Sequence, residues 1–401
     1  MRSMTRAGAT FLLLGLICGA FAADWPQYMG PTANGIAPDT GINKDWNARP
    51  PKMEWKVALG DRGFAGPCVA DGKVFIIDHA GDKDIVRALK LDTGQEVWRF
   101  PYPDTARENY GFARSTPCYS NGRLYTLSRL GLLNCLDASD GTPYWSVNIK
   151  QDFGGRNPEW DFSASPIVDE GKVIVCPGGQ TGVVALDAQS GDTVWTGGKP
   201  GPVGYATPVV ATIQGVKQYV IFAGKQIYGA AAADGRELWS VPWETSYDVN
   251  AAHPVVAGNF VFFASGYGKG CSLIEITPNG PKTHWAKKSL QAHFNSPVFT
   301  NNCFFGIGDR YGLVCINPRD GEILWNNREM GEKGGLVAVD GVLIGMNSDS
   351  GAVVMFSNSF ESYQELGRIT PLGGQSWTMP VISDGKLIIR NKEAICCLDI
   401  M

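Results

Sequence analysis

An all-β fold, an eight-bladed propeller of four-stranded antiparallel blades, is what this 401-residue sequence predicts. Three observations lead there: a recurring turn-and-strand phrase, a hairpin of apolar strands between copies, and a half-unit at each chain end.

The phrase is clearest from Ala185 to Trp195. Asp187 opens a turn whose carboxylate can accept backbone N–H groups, and Gly191 supplies the positive φ that closes it. Trp195 follows on a strand of Thr and Val. The same layout returns from Ala88 to Trp98, Cys135 to Trp145, Gly229 to Trp239 and Cys315 to Trp325, with a looser copy around Gly280 and Trp285 that carries one extra residue. Trp55 has only the closing half of the phrase, and Cys397 to Asp399 only the opening half.

Between copies the chain from Pro67 to Ile77 reads as a hairpin with Asp71-Gly72 at its turn. Matching hairpins begin at Pro117, Pro166, Pro208, Pro254, Pro297 and Pro380, and a weaker one without proline near Leu336. That makes eight units with a period of roughly 40 to 50 residues. Proline cannot donate to a strand ladder, so the Pro-led strands belong at one sheet edge, lining a central channel, with the Trp strands at the rim. The unit from Trp377 to Met401 stops after three strands, and Met53 to Val57 is an orphan Trp strand. Pairing the two closes the ring. Unit seven keeps the strand Val353 to Phe356 but no Trp follows, which makes it the weak blade.

Net charge is −4, which argues against a nucleic-acid binder. Residues 1–22 read as a secretory signal: Arg2 and Arg6, an apolar run from Phe11 to Ile17, then Ala20-Phe21-Ala22. Export to the periplasm or beyond follows, with no membrane span in the mature chain. Lipidation at Cys18 is disfavoured by the bulk of Ile17. Residues 23–51 are expected to form an irregular arm pinned by Trp25 and Trp46, and residues 52–401 the propeller, as a monomer. The remaining cysteines read as small core residues rather than disulfides. Cys135, Cys315 and Cys397 share a column with Ala88, Ala185 and Gly229, and the adjacent Cys396 and Cys397 point to opposite faces of a strand. Asp78, Asp82 and Asp84 read as a solvated loop rather than a Ca²⁺ loop, because Lys83 intrudes.

The pattern Ala-x-Asp-x-x-Ser/Thr-Gly-x-x-x-Trp resembles the tryptophan-docking motif of the PQQ-like, quinoprotein alcohol dehydrogenase-like, eight-bladed propellers. The resemblance implies that Trp98, Trp145, Trp195, Trp239 and Trp325 pack between blades. It also implies two branches. Quinoprotein dehydrogenases hold PQQ and Ca²⁺ in the channel with a tryptophan floor, carboxylate and Asn ligands and commonly a vicinal disulfide. The BamB-like branch is a non-catalytic periplasmic scaffold. This chain is as short as the second type, so no cofactor is expected. PQQ with Ca²⁺ enters only under the alternative of an oxidoreductase acting on alcohols or sugars.

A site is expected where the copies differ. Three residues before each proline, or its equivalent, stand Phe64, Arg114, Ser163, Tyr205, Ala251, Phe294, Lys333 and Trp377, half of them aromatic. The loops after the second strands contribute His79, Arg129, Gln180, Lys225, Tyr267, Lys269, Arg310, Asp349 and Arg390, rich in cations. Longer loops around Tyr110, Arg156 and Tyr247 can wall the same face, and His253 and His293 are candidates for a pair at the mouth. The ligand-binding set predicted from these columns is Phe64, Arg114, Arg129, Tyr205, Lys225, His293, Phe294, Arg310 and Trp377. It suits a periplasmic or envelope protein, a glycan or an anionic small ligand. The competing reading is a channel plugged by aromatics with cations as surface decoration. No catalytic or metal-ligating residue is assigned.

Overall fold

The computed structural model describes residues 24–401; the expected signal segment and Cys18 lie outside the described residues. Eight sheets form, each built on four antiparallel strands. Blade one runs from the axis outward as Cys68–Ala70, Lys73–Ala80, Lys83–Lys90 and Glu96–Pro103. Blades two to seven repeat that order. Blade eight is Val381–Ser383, Lys386–Arg390 and Ala394–Asp399, completed by Lys52–Ala58 from the other end of the chain, with Trp55 opposite Cys397. The ring is therefore closed by main-chain pairing between the two ends.

The repeated phrase forms as its residues dictate. Gln189 N and Ser190 N donate to Asp187 Oδ1, both at 2.9 Å, and Gly191 takes φ 79°. Ala185 faces Trp195 while Leu186 faces Thr193, so Val194 is an extra residue on the outer strand. This bulge recurs before the tryptophan of the other copies and aims each indole at the neighbouring blade. Trp98 lies on Gly141, where an added Cβ would stand 2.6 Å from the ring, and its Nε1 donates to Ala138 O at 3.2 Å. Trp145 meets Gly191 and Ala188 O, and Trp285 meets Gly321 and Pro318 O, in the same way. Trp55 on Gly94, with its Nε1 2.6 Å from Leu91 O, fastens blade eight to blade one.

Three junctions depart from the pattern. At the first, between blades six and seven, Trp325 has no turn glycine to lie on; its Nε1 donates to Ser359 O at 3.0 Å and its ring meets Tyr363. Trp239 turns its Nε1 to Gln218 Oε1 of its own blade, at 2.6 Å, and Gly280 of blade five meets nothing. The extra residue in that copy moves the turn away, and Gln214 Nε2 on Ile276 O at 2.8 Å ties blades four and five instead. Blade seven does have an outer strand, Glu365–Ile369, but Gly367 occupies the tryptophan position opposite Met355. Trp46, from the N-terminal arm, packs on Gly367 and is only 2% exposed. The missing indole is thus supplied from outside the repeat.

The arm spans one end of the channel before it reaches that point. Trp25 pairs with Val69 of blade one, Tyr119 N of blade two donates to Pro26 O, and Tyr28 reaches Ser296 at the entry to blade six. Ile36–Ala37 then adds a parallel strand to Leu336–Val339 of blade seven. The nine described cysteines are all free and buried, and burial pushes the Cys118, Cys176 and Cys396 thiols up to about 12. Among the described residues no helix is long and apolar enough to cross a membrane.

Trp46→Ala is expected to cost about 3–5 kcal/mol, the range for losing a buried large aromatic, and so as much as Trp98→Ala in urea denaturation. A cost below about 0.5 kcal/mol, that of an uninvolved surface change, would show that the arm merely rests on blade seven.

Candidate functional site

The innermost strands are short, and the residue three before the proline that leads into each, or its equivalent in blade seven, stands where the blades converge on the axis. All eight members of that column line one cavity of about 290 Å³. The proline-preceding residues below it interlock the blades. Thr116 N donates to Ser165 Oγ, Ser165 N to Thr207 Oγ1 and His253 N to Ser296 Oγ, each at 2.9 Å. The arm contributes Tyr28 to the cavity lining. Its hydroxyl is 2.9 Å from Ser296 Oγ and its ring stands edge-on to His253 at 5.7 Å.

The aromatic side chains form a continuous series around the mouth. Phe64 stacks on Trp377 at 4.4 Å between centroids, Trp377 meets Phe294 at 4.9 Å, and Phe294 meets His293 at 5.0 Å. From His293 the series continues to Tyr267 at 4.5 Å, Tyr247 at 5.8 Å, Trp160 at 6.1 Å and Tyr110 at 5.3 Å. These spacings fall within the range for favourable ring pairs. Tyr110 and Tyr247 are each 60% exposed and form the open rim.

Charge at the cavity has one sign. Lys333 Nζ lies 5.2 Å over Trp377 and Lys392 Nζ 5.4 Å over Phe64. Arg114 donates to Asn109 O, while its Nε has no partner, and burial pulls its pKa below the usual arginine value. Among the described residues no Asp or Glu side chain lines the cavity.

Of the nine predicted residues, Phe64, Arg114, Tyr205, His293, Phe294 and Trp377 are brought together here, and three are not. Arg129 is 1% exposed and fully committed. It donates to Asp104 at 2.7 and 2.9 Å, to Asp161 at 3.0 Å and to the Ala106 and Arg107 carbonyls. Lys225 is exposed outside the cavity, and Arg310 is exposed with its guanidinium 4.9 Å over Tyr311. Arg390 of the same loop set is likewise buried, on Asp61 at 2.8 Å. Arg129 and Arg390 are spent neutralising carboxylates of neighbouring segments, which spacing along the chain does not reveal.

The Asp78 to Asp84 turn is also not the solvated loop expected. Asp78 Oδ1 accepts from the Gly60, Asp61 and His79 amides, and Asp84 is fully buried with Oδ1 2.9 Å from His79 Nδ1. Burial raises the Asp84 carboxyl to about 6. His79, Asp84 and Asp104 offer ligand atoms within 4.8 Å of one another. Both Asp104 oxygens already bind Arg129, so a cation there would have to displace a guanidinium. His253 and His293 do not pair. His253 is buried with one ring nitrogen 3.0 Å from Thr207 O and the other 3.1 Å from Ala33 O of the arm, whereas His293 lines the cavity. Tyr28, Trp160 and Lys392 were not in the predicted set. They sit in the arm or in unrepeated loops, where alignment of the copies gives no signal.

PQQ with Ca²⁺ does not fit these residues. The lining offers no carboxylate for the cation, and Cys396 and Cys397 are ladder residues of blade eight, opposite Ile389 and Ile388.

The closed ring of eight four-stranded blades with its docked tryptophans defines a propeller of the PQQ-like class. More particularly, the chain belongs to the family described as outer membrane protein assembly factor BamB, whose sequence model matches residues 81–327. It is 23% identical over 209 residues to the BamB of Shewanella oneidensis, covering 51% of this chain and 49% of that protein. It is 29% identical over 156 residues to the quinohemoprotein alcohol dehydrogenase ADH-IIG of Pseudomonas putida, covering 36% of this chain and 21% of that one. These matches thus span about half or less of the relatives' own length. The solved structure of BamB from Moraxella catarrhalis shares the fold, with TM-score 0.62 at 17% identity, over 87% of this chain and 97% of that one.

The His253 ring ties the arm to the inner belt, and burial lowers its pKa from 6.5 to about 4. The unfolded chain therefore takes up the proton first, and stability on this account is present above pH 6.5 and lost as pH falls towards about 4. The melting temperature should drop more steeply over that window in the natural chain than in His253→Gln. Parallel pH profiles would contradict the assignment.

Proposed function

We propose that the chain is an exported, non-catalytic scaffold whose loop face captures an envelope protein. The observation that carries this reading is the ring series from Phe64 to Tyr110, which opens outward through Tyr110, Tyr247 and Tyr267, respectively 60%, 60% and 41% exposed. Large apolar rings held at a rim above a concave floor are the usual anchors of a protein interface. Membership in the assembly-factor family supports the same reading, and so does the want of carboxylates in the lining, which disfavours the quinoprotein alternative. The secretory character of residues 1–22 would place the scaffold in the periplasm or outside the cell. Its binding unit is a monomer, because one chain closes the ring.

Replacing Tyr110, Tyr247 and Tyr267 together by Ser should abolish cross-linking of the full chain to its envelope partner in the native host, while the melting temperature stays within a few degrees, since the rings are exposed. Undiminished cross-linking would exclude this face. Dye reduction by alcohols or sugars after addition of PQQ and Ca²⁺ would instead favour the oxidoreductase.

A further inference from the structure

We propose that the axial cavity receives one apolar side chain from an acidic peptide segment of a protein partner, with Arg114 and Lys333 taking the carboxylates that flank it. This deepens the scaffold reading and rests on it.

Size comes first. Small-molecule sites usually enclose about 300–1,000 Å³, and this cavity, at about 290 Å³, suits a single inserted anchor. Its walls at Phe64, Tyr205, Phe294 and Trp377 are aromatic, and Tyr28 lies at the arm end of the lining. A desolvated pocket of this kind is where one buried side chain contributes most of an interface's affinity.

Hydrogen-bond balance decides what accompanies that side chain. Arg114 Nε, Trp160 Nε1 and Trp377 Nε1 are buried and without partners. These three are donors; His293 Nδ1 is also unpaired, 3.8 Å from Asp309 Oδ2, and its role follows the ring's tautomer, so the unmet demand is mainly for acceptors. The lining hydroxyls of Ser165 and Thr207 already accept amides of the inner belt. A carboxylate brings acceptors only.

Charge points the same way. On this face the buried guanidiniums of Arg129 and Arg390 each hold a carboxylate, from Asp104 and Asp61. Arg114 is half-buried with only a carbonyl, and Lys333 lies over Trp377. The carboxylate whose charge reaches Arg114, that of Asp161, already binds Arg129, so an incoming carboxylate would give the partly buried guanidinium a partner of its own.

The test uses the chain from residue 24 onward and a fluorescein-labelled peptide with a central Leu-Phe pair flanked by glutamates. Fluorescence anisotropy should show saturable binding that weakens at least about tenfold, or about 1.4 kcal/mol, when the glutamates become glutamines or the Leu-Phe pair becomes Ser-Ser. Raising salt from about 50 to about 500 mM should weaken it as well. Lys333→Gln should produce a similar loss with the melting temperature unchanged, and Trp377→Ala a similar loss measured well below its own, lowered melting temperature; Arg114→Gln is added where it folds. Binding of the glutamine or serine peptide as tight as the parent would overturn the proposal. So would unaltered affinity in Trp377→Ala, or binding of oligogalacturonate or phosphatidylglycerol vesicles without the peptide. If the envelope partner depends on the three rim tyrosines but the peptide neither binds nor competes, this inference falls and the scaffold reading stands. If the peptide binds as described and no partner is captured, the cavity assignment stands and the scaffold reading falls.

Discussion

The contact on which the ring depends is an indole laid over the glycine that closes the next blade's turn. Trp98 on Gly141, Trp145 on Gly191, Trp285 on Gly321 and Trp55 on Gly94 are the same contact. The glycine is required twice over, once for its positive φ and once because a Cβ would enter the ring. The bulged residue before each tryptophan rotates it out of its own sheet. The residue opposite the indole is small in most blades, Cys135, Cys315 and Cys397 standing where others have Ala88 and Ala185, whereas blade five places Leu273 opposite Trp285. Junctions that lack the contact are held by substitutes, Gln214 between blades four and five, Tyr363 under Trp325 between blades six and seven, and Trp46 on Gly367 of blade seven.

Fastening at the rim leaves the axis free to be specified separately. There the blades meet through side-chain hydroxyls on the neighbouring backbone, a narrow belt that brings eight short strands together and leaves a hollow above. The arm stands against one end of that hollow with Tyr28 and the belt's His253. On the other side, Arg129 and Arg390 lock the loops between adjacent blades with buried ion pairs. Such pairs contribute little net stability against an apolar replacement, yet removing one partner is expensive, so they fix loop position. A rigid surround is what allows the exposed rings of Tyr110, Tyr247 and Tyr267 to keep their places at the mouth.

Much of the site was legible because it repeats in position while varying in residue type. The column ending at Trp377 could be read from the prolines alone, and its members share one cavity. The second loop column was equally regular in spacing, but Arg129, Lys225 and Arg310 do not reach the cavity. A cation's partner is set by which carboxylate folds against it, and Asp104 and Asp161 lie in loops outside the repeat. The turn carrying Asp78 and Asp84 read as solvated for the same reason, since its partners Gly60, Asp61 and Arg87 are distant in sequence or on another strand.

By itself the sequence determined the blade count, the strand order and the closure of the ring, because turn chemistry, proline placement and the docking phrase are local and recur. Tertiary structure alone decided where the arm runs, that Trp46 replaces the indole absent at Gly367, and which cations are spent on buried carboxylates. It also decided that Trp160 and Tyr28 join the cavity. Each of these depends on segments far apart in the chain meeting across the channel or its rim, and no local periodicity encodes such a meeting.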